Sequence, residues 1–237
     1  MKCAKVIVFY FGERRGMSNN IRIDKLLSKI IENENNDVGV DTDTFFVVNT
    51  AGIALDTCLD KYDGRPTANG KIRVIKRDNI GLSFGGYIDT FNQYKHEYDY
   101  WMFLEDDVIV YKHGYIKSFI DELSSKATFI ALAPISTFIK PHCGGGCGLT
   151  STEYMERTYT SDFVKSKLEE WSEYKGYDVA AGSLQSKNAE IEFSSYFKLK
   201  NHSTYTPLCV NWSTHDSQRR FKYLLRPDSE FIYKVGK

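Results

Sequence analysis

Neither an excess of charge of one sign nor a long apolar run is found in this sequence of 237 residues. Lysine and arginine total 31, aspartate and glutamate also total 31, and the formal net charge is zero. A chain without net positive charge has no long-range field that attracts nucleic acid or anionic lipid, which argues against a general nucleic-acid binder. No apolar run approaches the ~18 to 20 residues that cross a bilayer, so we expect no transmembrane segment and at most a peripheral contact with a membrane.

Paired cysteines, a secretory leader, internal repeats and interdomain linkers are missing as well. The five cysteines form an odd and scattered set: Cys3, Cys58, Cys143, Cys147 and Cys209. No basic segment followed by an apolar one precedes them, so we expect a cytoplasmic protein with reduced thiols rather than a disulfide-bonded secreted one. No repeat, low-complexity tract or linker divides the chain, which favours a single domain.

Short apolar runs alternate with helical patterns through the first half of the chain. The predicted strands are Lys5–Phe11, Thr44–Val48, Lys71–Ile75, Tyr98–Leu104 and Thr128–Ala133. Predicted helices follow Ser18 or Asn19, extend from a Ser83 cap to Lys95, and cover Tyr115–Leu123; a later one is expected at Glu190–Lys200. Because each strand is continuously apolar, the pattern indicates a parallel sheet covered on both faces. In such sheets ligands bind beyond the carboxyl ends of the strands.

Three carboxylates directly follow the fourth predicted strand. Glu105, Asp106 and Asp107 come immediately after its last apolar residue, Leu104. At least two of these carboxylates can converge on one cation at the edge of the sheet. Mn²⁺ and Mg²⁺ take oxygen ligands, keep several waters and are completed by substrate phosphates, so a metal site that binds a diphosphate is the favoured interpretation. The alternative is a solvated acidic turn, which is the usual role of a short acidic cluster.

The order of three motifs resembles that of GT-A fold glycosyltransferases, and of the large family 2 among them. The first strand leads into the loop Phe11–Arg15, the third into the turn Asn79–Gly81, and the fourth into the acidic run at 105–107. The resemblance implies an α/β fold of the GT-A, Rossmann-like type, with a mostly parallel central sheet flanked by helices. It also implies a metal-dependent transferase that moves a hexose or deoxyhexose from a UDP-, GDP- or dTDP-sugar to a hydroxyl of a glycan or another saccharide. Residues 1–110 would form the nucleotide-sugar-binding half of one domain, and residues 111–237 the acceptor-binding half.

The resemblance also assigns roles to individual residues. Glu190 and Glu192 stand where family members carry an acidic pair at the start of a helix, so Glu190 is expected to be the general base of an inverting reaction, with Glu192 as the second candidate. The implied metal ligands are Glu105, Asp107 and His215, and Trp212 would line the acceptor cleft. The implied donor contacts are Glu13, Arg14, Asn49, Arg77, Asn79, Gly81 and Asp106.

Some of these residues have simpler structural interpretations, and some positions differ from the family pattern. Acids at a helix start are favoured by the helix dipole whatever the function, and a lone histidine such as His215 is most often structural. Asn49 and Glu190 occupy positions where aspartate is common in the family, and the acidic run begins with Glu105 instead of aspartate. These changes put the donor contact of Asn49 in doubt but keep both carboxylates.

The glycine-rich segment His142–Gly148 has two interpretations. Cys143, Cys147 and the neighbouring histidine would supply three ligands of a zinc site, but no second ligand pair at the usual spacing follows. The favoured interpretation is a loop whose glycines Gly144, Gly145 and Gly146 let the backbone approach the donor sugar or the acceptor, since family members carry glycines just before the acceptor helix.

Two rival functions remain open at this point. A sugar nucleotidyltransferase also combines an α/β sheet, a metal and a nucleotide, but it usually has an early glycine-rich loop with a lysine, which Gly12–Gly16 does not match. A catalytically inactive module of the same fold that binds a glycan or a nucleotide is the second. Metal-dependent hydrolysis of a nucleotide sugar would separate an enzyme from such a module.

Overall fold

The computed structural model of the chain describes residues 1–10, 13–14, 17–18, 27–50, 57–106, 108–110, 112–132, 135–136, 141–160, 162, 166, 184–202 and 233–234. The strands are β1 Lys2–Tyr10, β2 Glu13–Arg14, β3 Met17–Ser18, β4 Asp41–Thr50, β5 Ile72–Asp78, β6 Tyr100–Glu105, β7 Val108–Ile109, β8 Phe129–Ala131, β9 Ile135–Ser136, β10 His142–Cys143, β11 Gly148–Ser151, β12 Leu199–Asn201 and β13 Tyr233–Lys234. The helices are α1 at 27–33, α2 Leu82–Tyr94, α3 Tyr115–Glu122, α4 Thr152–Thr158 and α5 Leu184–Ser195, with 3-10 turns at Asp60–Tyr62 and Gly144–Gly146. In this part of the chain, no helix has both the length and the apolar character needed to cross a bilayer.

Seven strands form one central sheet in the order β12-β8-β11-β6-β1-β4-β5. All neighbouring pairs are parallel except the two that involve β11, which runs antiparallel to both β6 and β8. Five predicted strands correspond to β1, β4, β5, β6 and β8, with ends that differ by a few residues. The prediction of an α/β fold with a mostly parallel central sheet is confirmed.

Apolar side chains cover both faces of the sheet, because residues alternate between its two sides. On one side, Ile7 and Phe9 of β1 belong to a buried cluster with residues of α1 and α3. On the other, Val6 and Val8 belong to a cluster with residues of α2, α4 and α5, rich in aromatic rings that include Trp101. Two covered faces explain why the strands have continuously apolar sequences.

The predicted helix at Glu190–Lys200 is wrong at both ends. The helix α5 already includes Leu184 and ends at Ser195, and residues 199–201 form β12, which pairs with β8 along the sheet. The backbone of this segment completes a parallel ladder, and tertiary pairing here outweighs local helical periodicity. Glu190 and Glu192 therefore lie inside a helix and not at its start, so neither the helix-start interpretation nor the family's helix-start placement applies to them.

Candidate active site

The carboxyl ends of four parallel strands gather the predicted site residues at one edge of the sheet. Tyr10 of β1 is opposite Asn49 of β4, and Asn49 is opposite Arg77 of β5. On the other side of β1, Val8 is opposite Glu105, the last residue of β6. The predicted position of Glu105 at the end of a buried strand is therefore confirmed, and it lies at the edge where parallel sheets bind ligands.

A polar network braces the turn between β5 and α2. The Arg77 guanidinium donates to the Asn49 side-chain oxygen (2.8 Å), to the Ile80 carbonyl (3.0 Å) and to the Asp89 carboxylate (3.2 Å). The Asn49 amide donates in turn to the Leu82 carbonyl at 3.1 Å. These contacts turn the Arg77 guanidinium and the Asn49 amide toward the protein, where they hold the shape of the turn.

Asn79 and Gly81 occupy this same turn. The backbone amide of Asn79 donates to the Thr50 carbonyl at 2.9 Å, and its side chain is buried beside Asn49. Gly81 is left-handed with φ of 75°, and Leu82 follows with φ of 58°, which is uncommon for a residue with a Cβ. Backbone strain of this kind concentrates at functional sites, and here it lies at the first turn of α2.

Gly85 allows α2 to approach this turn. A Cβ atom at Gly85 would lie 1.9 Å from the Ile80 carbonyl oxygen, so the helix and the turn would have to separate. We expect Gly85→Ala to lower the free energy of unfolding by about 1–3 kcal/mol, the usual cost of overpacking, in urea denaturation. Asn92→Ala, at an exposed position on the same helix, is the control and should change stability by less than about 0.5 kcal/mol. Equal stability of the two variants would contradict this account of the turn.

The predicted role of Ser83 as the cap of α2 is wrong. The N-cap residue is Gly81, which makes no side-chain capping bond. Ser83 is the second residue of the helix, is buried, and donates its hydroxyl to Oε1 of Glu105 at 3.1 Å. The first turn of α2 thus contacts the carboxylate that ends β6.

Two carboxylates lie beside the Gly144–Gly146 turn. The backbone amide of Gly145 donates to Oε1 of Glu190, and the Tyr87 hydroxyl donates to the Gly145 carbonyl at 3.3 Å. A Cβ atom on Gly145 would lie 2.9 Å from Oε2 of Glu105, and the φ of 62° at this position also favours glycine. Gly145 therefore lies close to Glu105 and is hydrogen-bonded to Glu190, two residues that are far apart in the sequence.

Residues of α5 and α2 pack against the Gly144–Gly146 turn and its neighbour Cys143. The Cys143 amide donates to the Ser194 hydroxyl at 3.0 Å. A Cβ atom on Gly146, which has φ of 63°, would lie 2.9 Å from the Phe84 ring and 3.1 Å from the Phe193 ring. Glu190, Phe193 and Ser194 are spaced by three and four residues and so share one face of α5. This face holds both the glycine turn and the Glu190 carboxylate.

Neither cysteine of the turn points to a metal site within the described residues. Cys143 and Cys147 are buried, and the Cys143 thiol lies 3.1 Å from the Cys147 carbonyl oxygen. No group of three or more histidine, cysteine, aspartate or glutamate side chains placed to hold a metal ion occurs in this part of the chain. Gly145 and Gly146 lie close to Glu105, Phe84 and Phe193, and the predicted approach of these glycines to a donor sugar or an acceptor stays a prediction.

Glu192 lies on another face of α5. It is half-buried near the Tyr159 ring, and burial raises the pKa of Tyr159 well above its usual value, with smaller contributions from Tyr196 and Glu192. The Tyr159 hydroxyl donates to the Phe193 carbonyl. The described contacts place Glu190, and not Glu192, beside the glycine turn.

The structure does not test the predicted roles of several other site residues. Asp107, His215 and Trp212 lie outside the described residues, and for Glu13 and Arg14 the structure describes the backbone of β2 alone. Asp106 is buried directly after β6, and Gly144 begins the glycine turn. Their predicted roles remain predictions.

Among known proteins, similarity to this chain is found only for solved structures. No protein-family model matches the chain, and no curated protein matches it. Among solved structures, it is similar to S. aureus TarS (TM-score 0.49, 10% identity), covering 99% of this chain and 37% of TarS. It is also similar to the glycosyltransferase GlyE of Streptococcus pneumoniae (TM-score 0.45, 14% identity), covering 84% of this chain and 44% of GlyE.

A third similar structure is the galactosyltransferase LgtC in complex with donor and acceptor sugar analogs (TM-score 0.44, 17% identity), covering 84% of this chain and 72% of LgtC. Other matched chains include 4-diphosphocytidyl-2C-methyl-D-erythritol synthase. The chain thus spans less than half the length of TarS and of GlyE. At these identities, the likeness of this chain to the solved structures is one of overall fold.

Proposed function

We propose that this chain is a metal-dependent glycosyltransferase that moves a sugar from a nucleotide-diphosphate sugar to a hydroxyl group of a saccharide acceptor. The observation that carries the proposal is the contact of Gly145 with both Glu105 and Glu190. Both residues are half-buried and lie beside Gly145, at the carboxyl edge of a mostly parallel sheet. The resemblance of the sequence motifs to GT-A transferases supports the same assignment.

The two carboxylates have environments suited to different tasks. Glu190 accepts the Gly145 amide with Oε1, and a carboxylate has about four acceptor positions, so the same group can also take the proton of an acceptor hydroxyl. In the proposed reaction the acceptor oxygen forms a bond to the anomeric carbon, the bond from that carbon to the diphosphate breaks, and the proton passes to Glu190. Attack from the side opposite the leaving group inverts the configuration.

Glu105 is the described residue that would hold Mn²⁺ or Mg²⁺. Its carboxylate is half-exposed at the end of β6, and oxygen ligands from one or two carboxylates, with waters and substrate phosphates, satisfy these ions. The donor set therefore fits a hard divalent cation, and Asp107 and His215 are the further candidate ligands. A bound cation would neutralise the negative charge of the leaving nucleoside diphosphate.

Thermal unfolding with Mn²⁺ and UDP, GDP or dTDP tests the proposal. A nucleotide that binds only the folded protein adds about 2.7 kcal/mol of stability at one hundred times its dissociation constant. We expect a Mn²⁺-dependent rise in melting temperature for one of the three nucleotides, and a much smaller rise for Glu105→Gln. The control is Glu153→Gln, at an exposed position that pairs with Arg157 on α4, which should respond like the wild type.

The same preparation separates the rival functions. Release of free sugar and nucleoside diphosphate from a nucleotide sugar indicates a transferase whose acceptor is water, whereas pyrophosphate release from a nucleoside triphosphate and a sugar phosphate indicates a nucleotidyltransferase. Stabilisation by a nucleotide without either reaction indicates a binding module. No stabilisation by any nucleotide, with or without Mn²⁺, overturns the proposal.

A further inference from the structure

Two hydroxyl groups of α2 contact the candidate site from the protein side. Ser83 and Tyr87 are four residues apart and therefore share one face of the helix. The Ser83 hydroxyl lies 3.1 Å from Oε1 of Glu105, and the Tyr87 hydroxyl lies 3.3 Å from the Gly145 carbonyl oxygen. One helix face thus contacts Glu105 directly and contacts Glu190 through the Gly145 peptide.

The two hydroxyl groups differ from the two carboxylates in their exposure to solvent. The Ser83 and Tyr87 side chains are 2% and 0% exposed, whereas Glu105, Gly145 and Glu190 are only half-buried. A ligand in solution can reach the two carboxylates but not the two hydroxyl groups. The hydroxyl groups are therefore placed to orient the site and not to touch a substrate.

The Glu105 carboxylate is held through one of its oxygens and lies close to the glycine turn. Oε1 accepts the Ser83 hydroxyl, and Oε2 lies 2.9 Å from the position that a Cβ atom on Gly145 would occupy. A carboxylate has about four acceptor positions, so a hydrogen bond from Ser83 is compatible with binding of a cation by the same group. Outer contacts of this kind hold a metal ligand in a single orientation, and their loss typically lowers metal affinity about 10–100-fold.

The Gly145 peptide is restrained in a similar way. Its carbonyl accepts the Tyr87 hydroxyl while its amide donates to Glu190. Because the two groups belong to one residue, a rotation of the backbone at Gly145 would disturb both bonds. Gly145 has φ of 62° and stands between two other glycines, whose backbones have many alternative conformations, so the Tyr87 contact helps to select this one.

We propose that Ser83 and Tyr87 are positioning residues, Ser83 for Glu105 and Tyr87 for Glu190 through the Gly145 peptide. The inference rests on the proposed function, since it assigns these residues to the same metal and base site. The two residues are not among those that the family resemblance assigned to the site, and they lie four positions apart near the start of α2. Their role is to keep the two carboxylates oriented before any ligand binds.

Mn²⁺ binding tests the role of Ser83 without relying on catalysis. The dissociation constant of Mn²⁺ is measured from the electron paramagnetic resonance signal of the free ion, in the presence of UDP, GDP or dTDP. We expect Ser83→Ala to weaken Mn²⁺ binding about 10–100-fold with little change in melting temperature. The matched control is Thr90→Val, which removes a buried hydroxyl that bonds the Gly86 carbonyl within the same helix at 2.7 Å, and it should bind Mn²⁺ like the wild type.

Amide hydrogen exchange tests the role of Tyr87 in the ligand-free protein. We expect Tyr87→Phe to accelerate exchange of the Gly145 amide, because its bond to Glu190 opens more often. Tyr98→Phe is the matched control, since Tyr98 belongs to the same apolar cluster but its hydroxyl bonds Asp43 at 2.8 Å. With a donor that the wild type hydrolyses, Tyr87→Phe should also lower kcat while KM is unchanged, as expected for a group whose effect is felt in the transition state.

The outcomes separate this inference from the proposed function. If the wild type binds no Mn²⁺ with any of the three nucleotides, the proposed function fails. If the wild type binds Mn²⁺ and Ser83→Ala binds it equally well, the positioning role of Ser83 is wrong while the proposed function stands. Exchange at Gly145 that is unchanged in Tyr87→Phe, or equally fast in Tyr98→Phe, overturns the role of Tyr87.

Discussion

Glu190→Gln is expected to lower the rate of sugar transfer or donor hydrolysis by about 10²–10⁴-fold, the usual contribution of a general base. Glutamine keeps an oxygen that can accept the Gly145 amide, so the glycine turn and its contact with Glu105 should be preserved. The substitution removes only the ability to take a proton. The measurement is kcat with the nucleotide sugar whose nucleotide stabilises the wild type, together with the Mn²⁺ dissociation constant, which should stay the same.

Glu192→Gln tests the competing assignment. Glu192 lies on a different face of α5 near Tyr159, so its loss should reduce the rate far less than the loss of Glu190. Glu153→Gln, on the exposed side of α4, serves as the neutral control. A larger loss in Glu192→Gln than in Glu190→Gln would transfer the role of base to Glu192, and equal rates in all four proteins would exclude a carboxylate base on α5.

The strands β1, β4, β5, β6 and β8 could be predicted because each contains a short run of mostly apolar residues. The strand β11, Gly148–Ser151, escaped prediction although it lies inside the sheet. It has only four residues, begins with glycine, and is defined by pairing with β6 and β8, which are distant in sequence. Nonlocal pairing of this kind leaves little trace in the local pattern.

The candidate site was predictable in its parts but not in its assembly. The end of an apolar strand indicates where Glu105 lies, because strand direction and burial are both readable from the sequence. The approach of Glu105 and Glu190 to the same glycine depends on the backbone conformation of Gly145, which spacing does not reveal. The orientation of Ser83 was equally hidden, because a serine near a helix start usually caps the helix, whereas here Gly81 takes that position.

Loss of one partner from a buried ion pair on β1 should be among the most destabilising single substitutions. Lys5 of β1 lies 2.7 Å from Oε1 of Glu34, and their side chains are 2% and 5% exposed. The Thr44 hydroxyl donates to the other Glu34 oxygen at 2.6 Å. Burial lowers the pKa of Lys5, but Glu34 and the nearby Tyr115 raise it by more, so the net direction is upward and Lys5 stays charged.

Lys5→Met is expected to lower the free energy of unfolding by about 3–5 kcal/mol, because it leaves Glu34 as an uncompensated buried charge. The double variant Lys5→Met with Glu34→Met should recover most of that loss, since a buried ion pair and well-packed apolar residues of similar volume are often nearly equal in stability. The control is Lys117→Met, which breaks an exposed pair with Asp121 on α3 and should cost at most about 1 kcal/mol. Urea denaturation of the four proteins measures these differences. If Lys5→Met and Lys117→Met are equally mild, water reaches Glu34 and the pair is not part of the core; if the double variant is as unstable as Lys5→Met, the loss comes from packing and not from the unpaired charge.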